Sequence, residues 1–177
     1  MSVLRWHEEP ISKSRVREQF DCGDADLNTY LQRFARQNHE GGGAKTFLAI
    51  DDADGRVIGF YSLAPCSVAY ERAPAGVVRG QPRHDVPGYR LARLAVDLTR
   101  QGRGLGGQLL LSAGDRCLRV AAEAGGVLLA IDAKNERVAR WYGIYGAERL
   151  VGVPDAPPYP MVIALRTIAA ALKSMPN

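Results

Sequence analysis

Residues 91–107 constrain the fold more than any other segment of the chain. The run reads LARLAVDLTRQGRGLGG and joins an apolar strand, a glycine-dense turn and the start of a helix. The first N–H groups of a helix have no intrahelical partners, and the helix macrodipole adds positive character at that end. Because glycine lets backbone approach a bulky anion without a Cβ atom in the way, the segment predicts a pyrophosphate-binding turn.

The glycines allow two other interpretations. Gly102, Gly104 and Gly107 also satisfy the dinucleotide-binding pattern G-x-G-x-x-G. In a Rossmann unit the first glycine closes the strand–helix turn directly, whereas five residues separate the strand from Gly102 here. Asp132 follows the next apolar run and could be the acidic residue of that pattern, but too little chain follows it for the further strand–helix repeats of a Rossmann fold. A purely structural role, in which the glycines permit tight packing at a helix start, stays open.

Two motifs in order resemble the GNAT acetyltransferase superfamily. Gln101, Gly104 and Gly106 match Q-x-x-G-x-G, which resembles the acetyl-CoA pyrophosphate loop of that family. Asn135 and Tyr142 have the spacing of N-x-x-A-x-x-x-Y further along the chain, with Ala139 one position after the alanine of that pattern. The family continues with Gly-Phe, whereas Ala147 follows Gly146 here, so we expect different packing at that point.

The periodicity predicts an α/β (α+β) protein with a mixed central β-sheet flanked by helices, and the resemblance implies that this is the GNAT fold. The expected order is helix, hairpin, strand, helix, strand, helix, strand. The predicted elements are a helix over 24–37, strands over 45–50, 57–63 and 90–97, a helix over 104–124, a strand over 127–131, a helix over 135–145 and a strand over 161–166. Residues 64–88 are rich in Pro, Gly and Arg and are expected to lie over the surface. We expect one domain over residues 1–177, with a core of about 20–166.

Composition agrees with a single globular domain. The 177 residues are 46% hydrophobic and 24% charged. No apolar run approaches a membrane span, and the N-terminus lacks the apolar region of a signal peptide. Cys22, Cys66 and Cys117 are scattered without metal-ligand spacing. We therefore expect no metal and a cytoplasmic location.

The resemblance implies direct transfer of an acetyl group from acetyl-CoA, the cosubstrate, to an amine. It assigns acetyl-CoA binding to Leu94, Ala95, Val96, Gln101, Gly102, Arg103, Gly104, Leu105, Gly106, Gly107 and Asn135. It assigns to Tyr142 the general-acid role, in which the hydroxyl protonates the departing thiolate. Tyr142 could instead be a core aromatic of its helix, a role that Trp141 or Tyr145 could also fill.

No general base is evident. His7, His39 and His84 lie far apart, in segments expected to be loops. A substrate amine with a low pKa would remove the need for a base. An α-amino group has a reference pKa of about 7.7–8.0, against about 10.4 for lysine. Aminoacyl-tRNA carries such an amine on a polyanion.

A narrower resemblance covers residues 20–166. The segments FDCG at 20–23, GFYSL at 59–63 and RLARLAVD at 90–97 look like GNAT toxins of bacterial type II toxin–antitoxin modules. This resemblance implies acetylation of the α-amino group of aminoacyl-tRNA, which blocks translation. It also implies a homodimer and a ribbon–helix–helix antitoxin.

Seven arginines and two acidic residues lie between Arg72 and Arg103, so this stretch is basic. Arginine pairs with phosphate bidentately and stacks on bases. Arg90 and Arg93 are therefore the predicted substrate-binding residues, with Arg33, Arg36 and Lys45 as further candidates. Two alternatives stay open: a GNAT enzyme for a small-molecule or protein amine, and an acetyl-CoA-sensing or nucleic-acid-binding module.

Overall fold

The computed structural model describes residues 3–176, so the ends of the predicted 1–177 domain lie outside the described residues. The chain forms two compact units: residues 3–64 with 92–110, and residues 65–91 with 111–176. The strands are β1 (Trp6–Pro10), β2 (Lys45–Asp51), β3 (Val57–Val68), β4 (Val86–Val96), β5 (Leu128–Ala133), β6 (Glu148–Arg149) and β7 (Tyr159–Ala164). The α-helices are α1 (Ala25–Thr29), α2 (Ala35–Glu40), α3 (Ala75–Val78), α4 (Leu105–Ala124), α5 (Glu136–Ile144) and α6 (Leu165–Lys173).

The strands form one mixed sheet in the order β1-β2-β3-β4-β5-β7-β6. β2 pairs antiparallel with both β1 and β3. β4 and β5 run parallel, with Gly88 opposite Leu128, and β7 pairs antiparallel with both β5 and β6. The parallel pair is joined by α4, as a parallel crossover requires. The predicted mixed sheet is confirmed.

In the first unit, the helical segment packs on the β2–β3 hairpin. The Asp24 side chain accepts hydrogen bonds from the backbone N–H groups of Asp26 and Leu27 and so caps α1. A π-helical turn, Tyr30–Phe34, continues α1 into α2. Tyr30 and Leu31 then join a buried cluster with strand residues such as Phe60. The predicted helix over 24–37 is one helical segment that ends at Glu40.

In the second unit, side chains alternate between the two faces of β5, so Leu128 and Ala130 lie on the same face. They belong to one buried cluster with Val77 of α3 and Val162 of β7. The segment 64–88 is therefore not only a surface loop. β3 continues through it to Val68, and the buried residues Val68, Ala73, Val77 and Val86 belong to the core. Short apolar residues spaced among Pro and Gly have too weak a periodicity to predict this.

Several boundaries also differ from prediction. β1, β6 and α6 are additional elements, which the periodicity does not reveal because two of them are short or charged and α6 directly follows β7. Arg166, predicted as the end of a strand, lies in α6. On α4, Leu118 is half-buried and Val120 is 44% exposed, whereas Ala113 and Cys117 are buried. Small residues face the core there because α6 approaches closely, with Ile168 against Gly114.

Candidate functional site: a glycine turn and a buried tyrosine

The predicted pyrophosphate loop lies where β4 ends and α4 begins. A 3₁₀ turn, Leu98–Arg100, leads into Gly102 and Gly104, whose φ angles are +76° and +83°. A Cβ atom at either glycine would meet no protein atom within 4 Å, so this side of the turn is open. The left-handed backbone and the free N–H groups at the start of α4 are the features that a bulky anion needs. The turn therefore has the backbone shape that the predicted pyrophosphate site requires.

The side chain of Gln101 holds this turn in shape. Its Nε2 donates hydrogen bonds to the carbonyl oxygen of Val96 at 2.8 Å and to that of Cys22 at 3.0 Å. Both amide protons of the side chain are thereby used within the protein. A hydrogen bond donated by the Gln101 side chain to a phosphate oxygen would compete with these two bonds, so the predicted role of Gln101 in pyrophosphate binding rests on the loop shape.

The carboxylate of Asp97 holds the start of the turn in place through three hydrogen bonds. The residue is 3% exposed, and its carboxylate accepts bonds from the Thr99 N–H at 3.0 Å, the Thr99 hydroxyl at 2.6 Å and the Asp21 N–H at 3.0 Å. Burial alone would raise the pKa of the Asp97 carboxyl, but these hydrogen bonds outweigh it and the pKa is lowered. Asp97 is ionised at neutral pH and acts as a structural acceptor.

The other predicted binding residues of the first unit lie on β4 and around the start of α4. Leu94 and Val96 are half-buried on β4, and Ala95 is buried between them. Arg103 is exposed and makes no hydrogen bond or ion pair within residues 3–176. Leu105 and Gly107 are buried in the first turn of α4, and Gly106 is half-buried.

Asn135 and Tyr142 lie on the second unit. Asn135 is the N-cap of α5, and its Oδ1 accepts the Val138 N–H at 2.9 Å. The next residue, Glu136, accepts two bonds of 2.9 Å from one Arg149 nitrogen. These bonds fix the start of α5, and the predicted contact of Asn135 with the pantetheine arm would use its remaining polar atoms.

Tyr142 is the most buried of the three aromatic residues at the end of α5. It is 7% exposed, whereas Trp141 and Tyr145 are half-buried. The Trp141 ring meets it edge to face at 4.9 Å between centroids. Burial raises the pKa of the Tyr142 hydroxyl above its usual value, so the group keeps its proton across the neutral range. This state suits a proton donor, and burial alone would also suit a core aromatic.

The histidines do not form a general base with these residues. His7 lies between Asp52 and Glu9, at 2.6 and 2.8 Å, on the edge of the sheet. The Nδ1 atom of His39 accepts the Thr46 N–H at 2.9 Å, and burial lowers the pKa of that ring. His84 is exposed in the loop before β4. Among residues 3–176, no three His, Cys, Asp or Glu side chains gather as a metal site.

Both predicted substrate-binding arginines have partners inside the protein. Arg90 meets Asp132 at 2.5 Å, with both side chains 40% or more exposed. The Arg93 guanidinium lies 3.9 Å from the centre of the Tyr30 ring, a cation–π contact. Each keeps free N–H groups, so each can contact a phosphate, but neither is an unused cation.

Sequence reasoning missed the polar residues that support the glycine turn. Asp97 is visible in the sequence as a carboxylate directly after an apolar strand, followed by Thr99. That pattern signals a capped turn. Its bond to Asp21 could not be predicted, since it joins residues 76 positions apart.

Comparison with known proteins identifies the family of the chain. The chain matches the acetyltransferase (GNAT) family over residues 4–146. It is 42% identical over 123 residues to a tRNA-acetylating toxin of Mycobacterium tuberculosis, covering 70% of this chain and 72% of that protein. It is 25% identical over 155 residues to a probable toxin TacT of Sinorhizobium fredii, covering 82% and 86% of the two chains.

Solved structures share the fold. A bacterial toxin superimposes with a TM-score of 0.87 at 21% identity, covering 98% of each chain. AtaT in complex with acetyl-methionyl-tRNAfMet superimposes with a TM-score of 0.85 at 22% identity, covering 95% of this chain and 99% of that one. The fold predicted from the sequence, and the resemblance to acetyltransferase toxins, are confirmed. The chain therefore belongs to the GNAT acetyltransferase family.

Proposed function

We propose that this protein is a toxin that transfers acetyl from acetyl-CoA to the α-amino group of aminoacyl-tRNA and thereby blocks translation. The observation that carries the proposal is the 42% identity to a tRNA-acetylating toxin over 70% of the chain. The open, left-handed glycine turn supports the acetyl-CoA part of the proposal.

The residues divide the work as follows. The backbone of residues 102–107 binds the pyrophosphate, and the β4 backbone at Leu94 and Val96 holds the pantetheine and acetyl groups. Acetyl-CoA supplies the acetyl group as a thioester. The reaction forms an N–C bond to the amine and breaks the C–S bond. Tyr142 donates its hydroxyl proton to the sulfur that leaves, the nitrogen of the attacking amine loses one proton to solvent, and Tyr142 regains a proton from solvent.

The surroundings of the histidines favour an acceptor amine with a low pKa. His7 and His39 have partners within the protein and His84 lies in an exposed loop, so no base to deprotonate a lysine is evident among the histidines of residues 3–176. An α-amino group with a pKa of about 7.7–8.0 is already about half neutral near pH 8. The ester bond to tRNA lowers the pKa of that amine further. An aminoacyl-tRNA substrate therefore needs least from the protein.

We also propose a homodimer in the cytoplasm, neutralised by a ribbon–helix–helix antitoxin. AtaT has been solved with the C-terminus of its antitoxin AtaR, and KacTA has been solved with DNA. Both share the fold of this chain at TM-scores of 0.79 and 0.78. Within residues 3–176, no helix has the length and apolarity needed to cross a bilayer.

The decisive experiment incubates the purified protein with radiolabelled acetyl-CoA and a pool of charged tRNA, with uncharged tRNA as the control. Label is expected only on charged tRNA, in a form released by mild base as N-acetyl amino acid. If neither RNA is labelled while acetyl-CoA still binds, the proposal is wrong. Small-molecule and protein amines would then be tested as acceptors.

The two predicted arginines allow a test of the RNA contact. We expect Arg90→Gln and Arg93→Gln each to raise KM for charged tRNA and to reduce the slope of log KM against log salt by about one. kcat should not change. Arg119→Gln is the control, because Arg119 is exposed and its ion-pair partner, Asp115, lies on its own helix. An unchanged slope would restrict Arg90 and Arg93 to their contacts with Asp132 and Tyr30.

A further inference from the structure

An arginine in the 3₁₀ turn before the glycines is held by bonds within the protein. Arg100 directly precedes Gln101, and a cation there would ordinarily be assigned to the pyrophosphate. Its guanidinium instead reaches back to Asp51 at the end of β2. The Nη2 and Nε atoms donate to one Asp51 oxygen at 2.8 and 3.1 Å.

The carboxylate that accepts these bonds, Asp51, is buried and held in place by a second partner. The residue is 4% exposed, and its other oxygen accepts the backbone N–H of Ala53 at 2.8 Å. The Ala53 bond and the Arg100 bonds lower the pKa of the Asp51 carboxyl. The carboxylate is therefore charged at neutral pH, and leaving it without Arg100 would strand a buried charge.

Arg100 also bonds to the turn itself, through both its guanidinium and its backbone. The Nη1 atom of Arg100 donates to the Thr99 hydroxyl at 3.2 Å, and the Arg100 backbone N–H donates to the Asp97 carbonyl at 2.9 Å. The Arg100 side chain is only 19% exposed. One side chain thus ties the turn before the glycines to a strand 49 residues earlier in the chain.

We propose that Asp51 and Arg100 form a positioning pair for the cofactor loop, and that Arg100 acts on acetyl-CoA through the shape of the loop and not through its own charge. This rests on the proposed role of residues 102–107 in acetyl-CoA binding. The backbone at the start of α4 is effective only where its N–H groups point at the ligand. A turn released from β2 samples other orientations, so binding weakens although no contact to the ligand is removed.

The test measures acetyl-CoA binding by calorimetry over a range of salt concentrations. Asp51→Asn and Arg100→Gln are each expected to weaken binding by about tenfold. The salt dependence of log Kd should stay the same as in the unaltered protein. The double variant should be no weaker than the weaker single variant, because the two residues act as one unit. kcat at saturating acetyl-CoA, and KM for charged tRNA, should be unchanged.

Asp115→Asn is the matched control, since it breaks an exposed Asp–Arg pair within α4 and should leave acetyl-CoA binding unchanged. Hydrogen exchange should rise over residues 98–107 in the two single variants while residues 45–50 stay protected. This readout distinguishes loop release from a general loss of folding.

Three outcomes would overturn the inference. A shallower salt dependence in Arg100→Gln would make Arg100 a direct phosphate ligand. Unchanged binding in both variants would make the pair irrelevant to the loop. Equal loss of protection over residues 45–50 and 98–107 would reduce the pair to general stability. If the unaltered protein itself does not bind acetyl-CoA, the proposed function fails instead.

Discussion

Replacing Tyr142 with phenylalanine is expected to lower kcat by about 10²- to 10⁴-fold, the usual range for removal of a general acid. KM for acetyl-CoA should change little, because the ring that packs against Trp141 is retained. Single-turnover transfer of labelled acetyl to charged tRNA measures the effect. The predicted role requires the hydroxyl alone, so the variant isolates it.

The pH profile adds a second readout. Burial raises the pKa of Tyr142 above its ordinary value of 10.0, so the donor form is present below that value and is lost only when pH rises through the raised pKa. We therefore expect no decline in kcat from this group between pH 7 and about 10. The acceptor amine should instead produce a rise in kcat/KM near its own pKa.

Tyr145→Phe is the matched control, since it removes the same hydroxyl from the same end of α5 at a half-buried position. It should keep nearly full activity. If Tyr142→Phe also keeps full activity, Tyr142 is a core aromatic and the proton comes from elsewhere. A protein that only senses acetyl-CoA would keep its function in both variants.

The second large effect concerns stability and lies on β4. Gly88→Ala is expected to destabilise the protein by about 3 kcal/mol, at the upper end of the cost of overpacking. A Cβ at Gly88 would lie 2.3 Å from the carbonyl oxygen of Leu128 and 2.5 Å from its side chain. Leu128 is the direct partner of Gly88 in the parallel β4–β5 ladder, so this oxygen cannot move without breaking the pairing.

Urea unfolding of Gly88→Ala and Gly143→Ala compares the same substitution in two surroundings. Gly143 lies within α5, and a Cβ there would meet no atom within 4 Å. Alanine in an open helical position should stabilise by about 0.5–1 kcal/mol. A Gly88→Ala variant as stable as Gly143→Ala would show that the β4–β5 pair leaves room for a methyl group.

The features of this protein that depend on local order along the chain can be predicted from its residues alone. Glycine density after an apolar strand specifies a left-handed turn, and Gly102 and Gly104 adopt it. Helical and strand periodicity locates α4, α5 and most of the sheet, because apolar residues recur at the positions of each element that face the core. The spacing of two motifs, around Gln101 and around Asn135, is sufficient to indicate the family.

The residues that support the glycine turn, and the arginines that are free to bind a ligand, depend instead on tertiary packing. Gln101 is predicted as a ligand from the sequence, yet its side chain binds the carbonyls of Cys22 and Val96, and the neighbouring Arg100 binds Asp51. Arg90 and Arg93, also predicted as ligands, meet Asp132 and Tyr30. Most of these partners lie far away along the chain, and only folding brings them into contact. A charged side chain shows its type in the sequence, but its partner depends on the packing of distant segments.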